Sequence, residues 1–175
     1  MKAPAIAVLL FASCLSGLLA VDIPLERLGF KGATKLIEPA ATLGALLLTP
    51  EQTNSLESAW LESQQKIAVL RPSGTKATPE TDEQIKAIVL GFASKCDEVL
   101  TPIQRDTVLQ LNNVYSATFK AVDADYQPQV DAALSQEEKA KILAERNKVF
   151  RDRVIEELKN SLPPDRFAAF RAGLK

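Results

Sequence analysis

The stretch Leu47–Trp60, LLTPEQTNSLESAW, and the stretch Val99–Leu111, VLTPIQRDTVLQL, share one phrase, Leu-Thr-Pro-x-Gln. Thr49 and Thr101 are placed as N-caps, because a threonine hydroxyl accepts a hydrogen bond from an otherwise unpaired amide of the first helical turn. Pro50 and Pro102 then take the first helical position, where proline's missing N–H is no loss. Gln52 and Gln104 follow three residues after each cap and can reach back to the cap's own amide, completing a capping box. The phrase is a helix start, stated twice.

Later copies are degenerate. At Leu134 the chain reads LSQEE, with Ser135 as cap and Glu138 reaching back, and at Leu162 it reads LPPDR. In all four copies an apolar residue follows the leucine by eight positions: Leu56, Val108, Ile142 and Phe170. The apolar partner that would staple the leucine to its own first turn is missing from the first three copies, so those leucines must pack against another element.

Working outward, each start is followed by a helical stripe. The first helix is expected from Pro50 to about Leu70, with Leu56, Trp60, Ile67 and Leu70 on one face. The Pro- and Gly-bearing RPSGTKATP stops it. A second begins near Thr81 and carries Ile85, Ile88, Val89, Phe92, Cys96 and Val99. A third begins at Pro102 with Val108, Leu111, Tyr115, Phe119, Val122 and Tyr126, and Pro128 is expected to end or kink it. The fourth follows Ser135, with Ile142, Leu143, Val149, Phe150, Val154 and Leu158. SLPPDRFAAF breaks the chain and restarts it as a short fifth helix. No alternating strand pattern competes. The fold class is all-α: long antiparallel helical hairpins of four to five helices, arranged as an elongated cradle or a bundle. No single stripe can offset the entropy of ordering its own helix, so the stripes must face one another.

Residues 1–20 are a different kind of text. Lys2 precedes the apolar AIAVLLFA, and small residues and Ala20 lead to the polar Asp22. This predicts a secretory signal peptide, hence a periplasmic or secreted product. A membrane tether would arise only if Cys14 were lipidated after cleavage at Ser13, and Phe11 stands where such a signal has leucine. Residues 21–47 form an irregular or short-helical lead-in, interrupted by Pro24, Gly29, Gly32, Pro39 and Gly44. Residues 48–175 form the helical-hairpin domain.

Composition prunes the functions. The 175 residues carry 21 basic and 22 acidic side chains and no histidine. Nothing is basic enough to point to nucleic acid by charge alone. Without histidine there is no serine–histidine chemistry, no Glu-x-x-His di-iron helix pair and no ordinary zinc or copper site. P-loop and dinucleotide fingerprints are absent, and no small-molecule substrate suggests itself. The reading is non-enzymatic, with no cofactor and no metal. Outside the leader, Cys96 is the one cysteine, expected as a free, buried thiol between Phe92 and Val99. Trp60 is expected as an apolar anchor. Lys139, Arg146 and Arg153 recur every seven residues on the fourth helix and are candidates for gripping clients. The interleaved acids, such as Glu145 and Asp152, favour a solvated mixed-charge face over that role.

Two copies of Leu-Thr-x-x-Gln, each opening a helix, together with the leader and the all-α periodicity, resemble the LTxxQ family of Spy- and CpxP-like periplasmic proteins. The match covers about residues 43–125, and KCDEVLTPIQRDTVLQL carries most of it. The resemblance implies a homodimer of hairpins forming a thin curved cradle, without an ATP site, that binds unfolded or envelope proteins. Leu48, Thr49, Gln52, Leu100, Thr101 and Gln104 are then the motif residues, with an architectural role. Spy-like cradles are typically basic, whereas this chain is slightly acidic. The expected function is that of an ATP-independent envelope chaperone or stress protein. The alternative is a non-catalytic structural or specific-partner module of the envelope.

Overall fold

The computed structural model describes residues 23–72 and 78–174, and the leader with Cys14 lies outside them. The described chain is all-α, with no strand. Two 3-10 turns, Leu25–Leu28 and Gly32–Leu36, lead into a short helix α1 (Pro39–Gly44). Then come α2 (Pro50–Leu70), α3 (Pro79–Val99), α4 (Pro102–Ala132), α5 (Gln136–Ser161) and α6 (Pro164–Ala172).

Threonine–proline starts three helices, one more than the repeated phrase indicates. Thr78 caps α3, its hydroxyl accepting from the Thr81 amide at 3.2 Å. This start lies two residues ahead of Thr81, inside the stretch whose prolines and glycine read as a loop. Pro128 does not end α4, which continues to Ala132. Proline deprives the carbonyl four residues earlier of its donor. One residue on, the Gln129 side chain donates to the Asp125 carbonyl at 3.1 Å.

α2 packs antiparallel on α3, α4 packs on α5, and α1 packs on α6. The two long hairpins do not lie along each other. They meet at one end, where α3 passes into α4 through Leu100 and Thr101. A two-helix hairpin has only one internal face, so its outward apolar residues stay unpartnered. Leu61, Val69 and Leu90 are 56%, 78% and 59% exposed.

The core therefore gathers at the joint. Leu56, Trp60, Phe92 and Cys96 come from the first hairpin, and Val108, Leu111, Tyr115, Phe150 and Val154 from the second. The lead-in is a full contributor, because Ile23, Leu25, Leu28, Phe30 and Ile37 are each at most 9% exposed in the same cluster. Its first turn packs on α3 and its second on α4. Gly29 joins the two turns at φ +89°, a conformation that glycine adopts without steric cost. Trp60 meets Phe92 with ring centroids 5.2 Å apart, and Phe119 meets Phe150 edge-on at 5.8 Å.

α6 returns the C-terminal segment to the lead-in, and two glycines permit the approach. A Cβ at Gly44 would lie 2.7 Å from the Ala169 carbonyl oxygen, and one at Gly173 would collide with the main chain of Ala40 and Ala41. Gly173→Ala should lower the unfolding free energy by about 1–3 kcal/mol through overpacking against backbone. Gly91→Ala, in open space on α3, should instead stabilise by up to about 1 kcal/mol through helix propensity. Urea denaturation followed by circular dichroism checks both signs.

Candidate functional site

Each copy of the repeated phrase first builds its own cap. The Thr49 hydroxyl accepts from the Gln52 amide at 3.2 Å, and Gln52 Oε1 accepts from the Thr49 amide at 3.0 Å. Thr101 and Gln104 repeat this at 3.2 and 2.9 Å. Capping uses only one lone pair of each glutamine oxygen, leaving the rest of the carboxamide to find partners.

Those partners lie in the other copy. Gln52 Nε2 donates to Gln104 Oε1, and Gln104 Nε2 donates to Gln52 Oε1, both at 2.9 Å. The remaining N–H of Gln52 reaches the Val99 carbonyl at 2.8 Å. That of Gln104 reaches the carbonyls of Leu46 at 3.1 Å and Leu47 at 3.4 Å. Val99 and Leu47 each stand two residues ahead of their copy's cap, so the exchange has a local two-fold character. Both carboxamides are satisfied on both donor hydrogens and on the oxygen. Capping-box spacing shows half of this; the exchange between copies needs the fold.

The main chain that receives these bonds is unusual. Leu47 has φ +50°, the one non-glycine positive φ among the described residues. The left-handed region costs an L-residue about 1–2 kcal/mol, and the fixed carbonyls at Leu46 and Leu47 are what hold it. Arg166 of α6, only 9% exposed, donates to the carbonyls of Ala45 at 2.9 Å and Leu46 at 3.2 Å. It sits at the C-terminal end of α1, where a cation is favoured by the unpaired carbonyls. Arg166 stands at the glutamine position of the fourth, degenerate copy, LPPDR, and like Gln104 it donates to the Leu46 carbonyl.

The other expected residues fall away from the joint. Leu100 is buried and Leu48 half-buried there, whereas Leu134 is 98% exposed. Ser135 caps α5 by accepting from the Glu138 amide at 3.1 Å, and Glu138 accepts from the Leu134 amide at 3.0 Å. This third copy sits at the far end of α4, whose 31 residues span about 46 Å. Of the basic row on α5, Arg146 pairs with Asp123 at 2.7 Å and lies 5.2 Å over the Phe119 ring, its side chain 16% exposed. Arg153 pairs with Asp125 at 3.4 Å, and Lys139 is half-buried. Of the row, Arg146 is engaged inside the hairpin, whereas Arg153 makes an exposed ion pair across its surface.

Cys96 is a free, buried thiol whose Sγ lies 3.7 Å from the Arg27 carbonyl oxygen. Burial, with a smaller contribution from the Asp97 charge, pushes its pKa up to about 11. Tyr115 is raised further by burial, its hydroxyl sharing a 3.2 Å hydrogen bond with Thr42. An open groove of about 340 Å³ lies beside Cys96, with Arg27, Gly29, Ala93, Arg105 and Val108 among its walls. Arg105 is already engaged, donating to the carbonyls of Asp97 and Leu100 at 2.6 Å each. Among the described residues no group of three His, Cys, Asp or Glu is placed to hold a metal ion. No helix there is long and apolar enough to cross a membrane.

Comparison of the chain with family models, with curated proteins and with solved structures finds no match.

Two outcomes follow from this geometry. Gln104→Leu should destabilise by about 1–3 kcal/mol by stripping donors from the Leu46 and Leu47 carbonyls. A double-mutant cycle over Gln52 and Gln104 should give a coupling of about 0.5–3 kcal/mol, and additivity would show two independent caps. Separately, iodoacetamide at pH 8 should modify native Cys96 at least about tenfold more slowly than the urea-unfolded chain, because little thiolate is present and access is closed.

Proposed function

We propose that the chain is an exported envelope protein that binds unfolded or partner proteins through its helical surfaces, without ATP and without catalysing a reaction. The observation that carries this reading is the shape of the apolar surface. Two narrow hairpins joined at one end leave Leu61, Val69, Leu90, Ile103, Leu109 and Leu134 exposed along separate arms. Single exposed apolar side chains are ordinary on a protein surface, and the reading takes these as footing for weak contacts with extended apolar segments rather than for one enclosed ligand. The repeated Leu-Thr-x-x-Gln phrase and its resemblance to the LTxxQ family add a periplasmic setting, a leader removed near Ala20 and a homodimer to the proposal.

A second reading, a scaffold or single-partner module, draws on the charges. Arg146 and Arg153 are occupied by Asp123 and Asp125, and the whole chain carries net charge −1. Of the other cations on α5, Arg151 pairs with Glu38 at 3.2 Å, Lys141 with Glu137 and Lys159 with Glu156, so a basic client-gripping surface there is interleaved with acids.

Light scattering of a chemically unfolding protein, with and without the chain from Val21 onward, separates the two. Near-stoichiometric suppression without ATP is the expected result. No effect on several unrelated unfolding proteins, alongside capture of one stoichiometric partner from intact envelopes, would favour the scaffold.

A further inference from the structure

The lead-in has the features of a bound peptide. Between Ile23 and Ile37 it contains no α-helix, only the two 3-10 turns, and it alternates in character along its length. Ile23, Leu25, Leu28 and Phe30 point into the core, while Glu26, Arg27 and Lys31 stay exposed. Its own main-chain bonds are few and local, such as Arg27 N–H to the Pro24 carbonyl at 2.8 Å and Phe30 N–H to the Leu25 carbonyl at 3.1 Å. It bridges two hairpins that otherwise do not lie along each other.

The surface that receives it reads the main chain. Asn112 of α4, itself 6% exposed, accepts from the Lys31 amide and donates to the Gly29 carbonyl, both at 2.9 Å. A carboxamide paired with the C=O of Gly29 and the N–H of Lys31 clamps a main-chain turn, with Gly29 at φ +89°, through main-chain groups rather than side chains. Apolar walls from α3 and α4 supply the rest, with Cys96 and Val108 against the turn. The 340 Å³ groove runs beside the segment. Leu109 on its wall and Leu90, one turn before Ala93, remain 61% and 59% exposed. An incoming chain would find apolar footing there before the lead-in moves.

We propose that the cleft between the hairpins is a binding site for short, non-helical apolar peptide segments read by Asn112, and that residues 23–37 are its displaceable resident occupant. The proposal rests on the client-binding reading only in taking an unfolded protein as the natural competitor. Loss of the lead-in from the cleft exposes Trp60, Phe92, Cys96 and Val108 as one apolar face. The segment is held by five buried apolar side chains, by the two Asn112 bonds and by the Cys96–Arg27 contact, and it has no α-helical ladder of its own to break on opening.

The test uses a fluorescent peptide of sequence IPLERLGFKG, residues 23–32, titrated by anisotropy against the whole chain and against Leu28→Asp. The resident segment competes with the peptide in the unaltered chain, so Leu28→Asp should bind it at least about tenfold more tightly. Adding Asn112→Leu should weaken that binding by about tenfold, through two lost hydrogen bonds. Should Leu28→Asp lose its helical circular dichroism, the milder Phe30→Ala reads the same quantity. Hydrogen exchange on the unaltered chain supplies an independent measure. Amides of residues 28–31 exchanging ahead of α3 and α4 support the proposal, and exchange only with global unfolding overturns it. Absence of peptide binding in a helical Leu28→Asp or Phe30→Ala variant overturns it too. Peptide bound but not displaced by an unfolded protein upholds the site and removes the chaperone reading. Aggregation suppressed equally by all variants, with no peptide bound, does the reverse.

Discussion

Two glutamine side chains, Gln52 and Gln104, exchange hydrogen bonds at the one place where the long hairpins meet. That contact orients the two hairpins, while the shared apolar cluster and the lead-in that packs on α3 and α4 hold them together. An exchanged pair of carboxamides in a partly buried site is stronger than its exposed equivalent, since water competes poorly and each bond polarises the next. It also fixes orientation: each glutamine must keep its oxygen toward its own cap to leave its nitrogen for the other copy's main chain. The helix starts and the joint are thus one device, and tilting either helix disrupts both.

Around that joint, the remaining elements meet the needs it creates. α1 ends in a strained left-handed turn at Leu47, so its carbonyls project toward α4 and α6. Gln104 and Arg166 take them up from two sides. Burying a guanidinium is costly unless its donors are met, and here the Ala45 and Leu46 carbonyls take up its Nη1. Gly44 and Gly173 let α1 and α6 approach to backbone contact, which brings Arg166 within reach. The lead-in then covers the apolar floor that the two splayed hairpins would otherwise leave open.

Periodicity and capping chemistry made much of this legible in advance. The span Pro50–Leu70, the starts at Pro102 and after Ser135, and the all-α class follow from stripes and caps that act within one helix. What stayed hidden was whatever depends on a distant partner. Gln52 and Gln104 read as capping residues because their second role lies 52 positions away. Arg166 holds the glutamine position of the degenerate copy LPPDR, but the carbonyls of Ala45 and Leu46 that it reaches carry no sequence signature. The lead-in read as irregular because its glycines and prolines break every helical pattern, yet burial does not require periodicity. Arg146 and Arg153 looked like a surface row, since a seven-residue spacing cannot say whether the facing helix carries Asp123 and Asp125.

The third copy shows why glutamine, rather than any capping residue, matters at the joint. Glu138 has the same reach as Gln52 and accepts from a main-chain amide just ahead of its helix. A carboxylate has no N–H to donate, so it can complete a helix start but cannot take part in an exchange with a second copy. Placed at Gln104, it would turn a donor into a repelled neighbour of the Leu46 carbonyl, and its charge would face Gln52 Oε1 across a bond that had been attractive. Correspondingly, Ser135 and Glu138 stand at a hairpin tip where no other helix start approaches, and the preceding Leu134 is 98% exposed while Leu100 is buried. The two copies that keep glutamine are the two that meet. Leu100 and Leu162 are buried and Leu48 half-buried. Gln52, Gln104 and Arg166 at those copies all carry N–H donors to main-chain carbonyls, which the carboxylate of Glu138 at the exposed tip lacks.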